Sequence, residues 1–262
     1  MFWKNQGITF LTNASIQEWD IAHGNTSIMQ AFHLVDQNTI DALNKLDKKQ
    51  RVIRVGILQN KIPTLKTDME EAFDKTIETF MKENGLDQEM DVLSIDRDAV
   101  HTINANIKQT QFGDAIKFRL KHEYTSFIRI GGVEVYEDVN GNIATRGFMG
   151  DTTEDKKALR DKAYARLEPG VFAFIKELFQ ISRENNMRRE PIFRFLKEFC
   201  TLYKERALDK EYYREFKTTP QFRVVYGAME AFEDDITDDM VEQLNISFNY
   251  LNLIIPTIQA IM

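Results

Sequence analysis

Apolar positions in the first part of the chain switch repeatedly between alternate spacing, which marks strands, and three-to-four spacing, which marks helices. Strands are predicted over 7–12 and 16–20. A short helix follows over 25–32, with Asn25 or Thr26 able to cap it. Helices are predicted over 38–48 and 67–83, the second stopped by Asn84-Gly85. Two apolar strands, 91–95 and 99–103, flank the charged turn Asp96-Arg97-Asp98. The runs 115–120, 124–130, 133–136 and 143–148 are joined at Gly131-Gly132 and at Val139-Asn140-Gly141-Asn142, which predicts an antiparallel meander with one face to cover. From Thr153 the spacing is helical. Phe172, Ile175, Leu178 and Phe179 make one stripe, and Ile192, Phe195, Leu196, Phe199, Leu202 and Tyr203 make another, with Pro191 near its start. Aromatic stripes of this kind are read as core. The pattern predicts an α+β protein: a mixed, largely antiparallel sheet with short helices on one face over about 1–150, then a helical region over 151–262.

Composition narrows the class. The 262 residues are 43% hydrophobic and 29% charged, which suits a packed globular core. A single cysteine, Cys200, leaves no disulfide framework or cysteine zinc site, and it is expected to be buried and inert. No signal segment opens the chain, and its most apolar stretch, 249–262, carries Asn252, Pro256 and Gln259. The expectation is a soluble, intracellular (cytoplasmic) protein with no membrane partner. The net charge of -7 conceals a segment, 156–223, with 17 Lys or Arg against 10 Asp or Glu. Such a segment could track a phosphate backbone, and solvated helix faces give the same excess.

Two acidic elements carry candidate chemistry. Asp20 ends a predicted strand, and a polar turn (His23-Gly24) then leads into a helix whose first N–H groups favour a phosphate. Asp96-Arg97-Asp98 sets two carboxylates in a tight turn, a hard oxygen site for Mg²⁺. Brought together, these elements could hold two ions roughly 3.5–4 Å apart, as in-line phosphoryl transfer requires. A strand-end cap and a solvated turn are the plain alternatives. His23, His33, His101 and His122 show no metal-ligand helical spacing, and no nucleophile elbow or phosphate loop is present. Tyr212-Tyr213-Arg214-Glu215-Phe216 could stack a base with Arg support, but core packing plus an exposed Arg is the favoured reading.

The order of these pieces resembles the palm of a family B DNA polymerase, which has a D-F-x-S-L-Y-P-S-I motif and a later Y-G-D-T-D-S hairpin. Asp20 with Ser27-Ile28 keeps the aspartate-to-serine spacing, Gln30 and Phe32 continue a similar helix, and Asp96-Arg97-Asp98 looks like the D-T-D pair. Lys121-His122-Glu123-Tyr124 is similar to the family's basic-plus-tyrosine element, and Thr145-Arg146-Gly147-Phe148 to its stretch before the thumb. Asn25 stands where the family has its sugar-stacking tyrosine, and Thr26 where it has proline. The family's K-x-x-x-N-S-x-Y-G helix, which holds the triphosphate there, is not present, and Lys48-Lys49-Gln50-Arg51-Val52-Ile53-Arg54 is the nearest basic run.

The resemblance implies a palm-like domain over 1–150 with reduced fingers at about 37–85, and a thumb-like helical region over 151–262. It implies a template-directed nucleotidyltransferase, a DNA polymerase-like enzyme without an exonuclease half, that uses two Mg²⁺ ions (or Mn²⁺ in their place). Asp20 and Asp98 would be the metal ligands and Asp96 an auxiliary catalytic acid. Lys48, Lys49, Arg51, Arg54, Lys121 and Tyr124 would bind substrate. Arg188, Arg189 and Lys197 are candidates for the duplex backbone. The implied partners are a nucleic acid, DNA in the family, a nucleoside triphosphate, and another polymerase subunit supplying missing parts. The alternative is a catalytically inactive polymerase-like subunit that binds nucleic acid or protein.

Overall fold

In the computed structural model the described residues are 2–130, 133–146, 172–205 and 207–208. They form a mixed α+β protein with seven helices and two mostly antiparallel sheets, the class the pattern predicts. The helical run expected from Thr153 to 171, the Gly131-Gly132 turn, Gly147-Phe148, Tyr212 to Phe216 and 249–262 lie outside the described residues, as does the Cys200 side chain.

The strands are β1 (Phe2–Lys4), β2 (Phe10–Leu11), β3 (Ile16–Ile21), β4 (Val92–Asp96), β5 (Ala99–Ile103), β6 (Gln111–Phe112), β7 (Ile116–Tyr124), β8 (Ser126–Ile130), β9 (Val133–Glu137) and β10 (Ile143–Arg146). The helices are α1 (Gly24–Ala31), α2 (Gln37–Asn44), α3 (Lys48–Lys61), α4 (Leu65–Glu83), α5 (Gln88–Asp91), α6 (Ala173–Glu184) and α7 (Arg189–Lys204).

Two compact units divide the chain. One takes the described residues of 1–7 and 15–123, the other takes 8–14 and those from 124 onward. The division therefore falls at Glu123 and Tyr124 and not near 150, because β8 pairs with β2 (Phe10 with Ile128, Leu11 with Phe127).

The first unit is built on a six-stranded sheet ordered β1-β4-β5-β3-β7-β6. Alternation along β3 puts Trp19 and Ile21 on one face and Glu18 and Asp20 on the other. Trp19 and Ile21 join Ile95, Val100, Ile116 and Phe118 in a core closed by α1, α2 and α4. Helix α4 supplies Leu65, Met69, Ala72, Phe73, Thr76, Ile77 and Phe80 along one stripe, and the Phe80 ring stacks on Phe118 at 4.1 Å. Burying each large side chain contributes about 1.5–3 kcal/mol. The helix ends as predicted. Gly85 takes φ +65, and the Leu86 amide donates back to the Met81 carbonyl at 2.9 Å.

Two local expectations change. Neither Asn25 nor Thr26 caps α1: His23 is the N-cap in the left-handed region (φ 54), while the Thr26 hydroxyl donates to the His23 carbonyl and Ser27 to that of Ala22. The basic run at Lys48 is a 14-residue helix, α3, whose cap Asp47 accepts from the Gln50 amide at 2.8 Å. Only Val55 of α3 is buried, so the segment carries no apolar stripe by which to recognise it.

The second unit holds the sheet β10-β9-β8-β2 with α6 and α7. The meander is thus β8-β9-β10. Its expected first member, β7, pairs in the other sheet, where Ile116 and Phe118 reach the apolar core. Phe10 stacks on Phe179, and Phe174 packs against Phe195 and Phe199; Phe172, Ile175, Leu178 and Phe179 of the first stripe and Ile192, Leu196 and Phe199 of the second are buried core, while the Tyr203 side chain lies outside the described residues. Arg129 and Glu134 form a buried ion pair at 3.0 Å. Arg188, Arg189 and Lys197 are exposed residues of this unit.

Candidate active site

The polar face of the six-stranded sheet is organised in cross-strand rungs. Ser94 pairs with His101, and His101 with Glu18. Asp96 pairs with Ala99, and Ala99 with Asp20. The next strand, β7, continues both. Lys121 reaches Glu18, Arg119 reaches Asp20, and the Ala22 amide donates to the Lys117 carbonyl. Residue numbers fall on β7 as they rise on β3, so this pair is antiparallel as well. One rung therefore reads Ser94, His101, Glu18, Lys121 and its neighbour reads Asp96, Ala99, Asp20, Arg119. Ala99 has only a methyl group, which leaves room between Asp96 and Asp20.

Three members of the inner rung, Ser94, His101 and Glu18, are nearly sealed from water. His101 Nδ1 lies 3.0 Å from the Ser94 hydroxyl, and its Nε2 lies 3.7 Å from Glu18 Oε2. Glu18 is 2% exposed and meets Lys121 Nζ at 3.0 Å. Burying an ionised carboxylate costs several kcal/mol unless cations and donors offset it, and here Lys121 provides the cation.

The outer rung carries the predicted acids. Asp20 ends β3, and the β4-β5 hairpin sets Asp98 beside it: the Ile21 amide donates to the Asp98 carbonyl at 2.9 Å. Burial pushes the Asp98 carboxyl above its ordinary range, and the negative charge of Asp20 pushes the same way, while Arg97 and Lys121 act against it. The two carboxylates are thus within electrostatic reach of one another. A Cβ built on Gly24, the first residue of α1, would lie 3.2 Å from Asp98 Oδ2, so the carboxylate abuts the start of that helix. Asp96 is a third of the way exposed, with Oδ2 4.0 Å from His101 Nδ1.

Basic side chains surround these acids. Arg119 grips Asp20 with both arms, Nε to Oδ1 at 2.7 Å and Nη2 to Oδ2 at 3.2 Å, and this bond holds the guanidinium more firmly in its charged form. From α3, Arg51 reaches the turn after β3: its Nη1 donates to His23 Nδ1 at 2.9 Å, and it also donates to the carbonyls of Leu43 and Leu46. Because a guanidinium only donates, His23 Nδ1 is the acceptor and its proton sits on Nε2.

The fold thus assembles Asp20, Asp96 and Lys121 on one sheet face, with Arg51 bound to the adjoining turn, while the Asp98 carboxylate turns from the hairpin tip towards Gly24 at the start of α1. Lys48, Lys49 and Arg54 are exposed on α3. Tyr124 is not part of this cluster. It is buried in the second unit with its ring 4.8 Å from that of Tyr136, because the chain passes between units at that residue.

Sequence reading missed Phe73, Gly24, Arg119 and the Glu18–His101 pair. Phe73 lies beside Gly24, and the Arg97 guanidinium sits over its ring. The only signal for Phe73 was its place in the apolar stripe of α4. On a helix, positions seven apart share a face, so Lys66 projects along the line of Phe73 two turns nearer the N-terminus.

Among the described residues no group of three or more His, Cys, Asp or Glu side chains is arranged to hold a metal ion. One or two carboxylates suffice for Mg²⁺ where it keeps several waters and takes further ligands from substrate phosphates. Asp20 and Asp98 are the residues that would serve in that mode; Arg119 occupies both Asp20 oxygens, and Asp98 Oδ2 lies against the start of α1. No described helix is long and apolar enough to cross a membrane.

Fold and site together define an α+β protein in which a strand-end acid and an acidic hairpin lie beside one another, set among basic side chains. Its whole length, residues 1–262, matches the model of the bacteriophage PBS1 gene 130 protein family, and the chain belongs to that family. No curated protein sequence matches it.

Proposed function

We propose that this protein is a compact template-directed nucleotidyltransferase resembling a family B DNA polymerase core, extending a nucleic-acid 3′ end from a nucleoside triphosphate. What supports the reading is the placement of the acidic hairpin beside the end of β3: Asp20 pairs with Ala99, and the Ile21 amide donates to the Asp98 carbonyl at 2.9 Å.

Asp20 and Asp98 would hold the ions, and two bound Mg²⁺ ions would offset charge on the attacking and leaving oxygens. The chain's own residues do the rest. Arg51, tied to the turn after Asp20, and Lys48, Lys49 and Arg54 on the same helix supply positive charge for a triphosphate. Lys66 is added to that set by its place on α4. Arg97, stacked on Phe73, fixes the hairpin tip so that Asp98 keeps one orientation. The inner rung, through Lys121, Glu18 and His101, holds β3 and β5 in register beneath the acids.

A second reading, a catalytically silent polymerase-like subunit, is favoured by the double hydrogen bond that Arg119 makes to Asp20. One experiment separates the two. Primer extension is assayed with Mg²⁺ or Mn²⁺ for the wild type, Asp20→Asn and Asp98→Asn, with Mn²⁺ binding followed by electron paramagnetic resonance. Extension by the wild type that both variants lose supports the enzyme. Metal binding lost in both variants, with no extension by any protein, supports the silent subunit. Mn²⁺ binding unchanged in both variants would refute the site.

A further inference from the structure

Arg119 occupies both oxygens of the strand-end carboxylate, yet 58% of its side chain faces solvent. It is therefore held by one partner and free to swing. Its neighbours on the same face of β7 are Lys117 and Lys121, since side chains two apart on a strand point the same way. Both flanking positions are exposed, and the row repeats at about 6.6 Å, twice the rise per strand residue. The row runs along the strand next to Asp20.

Two facts about charge make this more than a basic patch. Asp20 offers two oxygens, and Arg119 uses both, so a divalent cation and Arg119 compete for the same carboxylate. Lys121 is already committed to Glu18, which leaves Arg119 as the cation of the row that changes partner when Asp20 is taken.

We infer that Arg119 is an exchangeable counter-cation: it neutralises Asp20 in the free protein, and when Asp20 takes a divalent cation it turns, with Lys117 beside it, onto a backbone phosphate of the nucleic acid. Divalent cation and nucleic acid then bind cooperatively, because each relieves the competition that the other meets. By linkage the enhancement is the same in both directions. This inference rests on the nucleotidyltransferase reading, since it takes Asp20 as a metal-binding carboxylate. Arg119 is a positioning residue in it and takes no part in bond making.

The test uses the full chain, Mn²⁺ and a short primer–template DNA, with affinities measured by calorimetry. For the wild type, saturating DNA is expected to tighten Mn²⁺ binding about tenfold, within the usual range of coupling between sites, and Mn²⁺ to tighten DNA binding by the same factor. Arg119→Met is expected to bind Mn²⁺ several-fold more tightly without DNA, to bind DNA more weakly, and to bring the coupling factor to about one. Lys117→Met is expected to weaken DNA binding and leave Mn²⁺ affinity without DNA unchanged. Lys117→Met should keep the wild-type melting transition, whereas Arg119→Met takes the cation from the mostly buried Asp20 and should melt lower, so its affinities are read below its own transition. Coupling that survives in Arg119→Met, or that is absent from a wild type that binds Mn²⁺ through Asp20, overturns the inference and leaves the functional reading standing. A wild type and an Asp20→Asn variant with equal Mn²⁺ affinity would sink both.

Discussion

The guanidinium carbon of Arg97 lies 4.8 Å from the centre of the Phe73 ring. This contact joins the tip of the acidic hairpin to the middle of α4. It holds Arg97 at φ 52, a left-handed conformation that costs a residue with a Cβ roughly 1–2 kcal/mol. The stacked cation returns about 0.5–1 kcal/mol at a half-exposed position and more where water is excluded. Arg97→Gly relieves the strain and loses the stacking, so the two effects nearly cancel. We expect a stability change within about 1 kcal/mol by denaturant unfolding. The same variant removes a positive neighbour of Asp98, whose carboxyl is then expected to titrate still higher by carbon-detected NMR.

Asp98 gives a pH dependence with a definite sign. Its carboxyl binds a proton more tightly in the folded chain than at its ordinary value of 3.8, chiefly because it is buried. Its contribution to stability is therefore full below 3.8 and is lost as pH rises through the raised folded value. Asp98→Asn removes that loss. The melting temperature of the variant should exceed the wild type's by a few degrees at pH 7, since about 1 kcal/mol moves a chain of this size by roughly 2–4 °C. The gap should close in acid, near pH 4. A variant less stable than wild type at pH 7 would mean that Asp98 is a structural acid and not a functional one.

The inner rung predicts an asymmetry. Removing Lys121 takes from Glu18, 2% exposed, the cation that faces it. Removing Glu18 leaves a lysine that is 45% exposed and can turn to water. Losing one partner of a fully buried pair costs about 3–5 kcal/mol. With Lys121 half in solvent, we expect about 1–3 kcal/mol for Lys121→Met and a smaller loss for Glu18→Gln, read from urea midpoints at constant slope. Equal losses would mean that the rung does not depend on the lysine charge.

Gly24 opens α1 with ordinary backbone angles, so alanine is conformationally acceptable there. Its new methyl group, however, would meet Asp98 Oδ2 at 3.2 Å and Asp98 Cβ at 3.4 Å. Gly24→Ala is expected to change overall stability by less than about 1 kcal/mol, because better helix propensity offsets the crowding. It should lower Mn²⁺ affinity several-fold by displacing the carboxylate. Unchanged metal affinity would show that this approach does not set the position of Asp98.

Much of the scaffold was legible in the sequence. The β4-β5 hairpin and β3 could be read because apolar runs break sharply at Asp20 and at Asp96-Arg97-Asp98. Helix α4 was visible through its stripe and its Asn84-Gly85 stop. What escaped depends on tertiary pairing. Strand β7 continues the alternation of the runs after it, and nothing local says that Phe118 will stack on Phe80 in the first unit's core while Ser126 begins a different sheet. The α3 helix escaped because only Val55 is buried, so its signal is an aspartate cap and not a stripe. The partners of Asp20 escaped because Arg119 is 99 residues away and looks like any exposed strand cation until register brings it opposite. Composition can nominate acids, but only pairing reveals what neutralises them.

The two-residue strand β2 sits in a segment, Ile8–Ala14, that belongs to the second unit although first-unit residues flank it on both sides. During synthesis this piece leaves the ribosome early and must wait for Phe127 and Ile128, more than a hundred codons later, before its backbone groups are matched. Truncation after Glu123 therefore yields a fragment with an orphaned edge, and translation restarted after Ala14 yields a meander missing its outer neighbour. Neither half of the gene encodes a finished folding module.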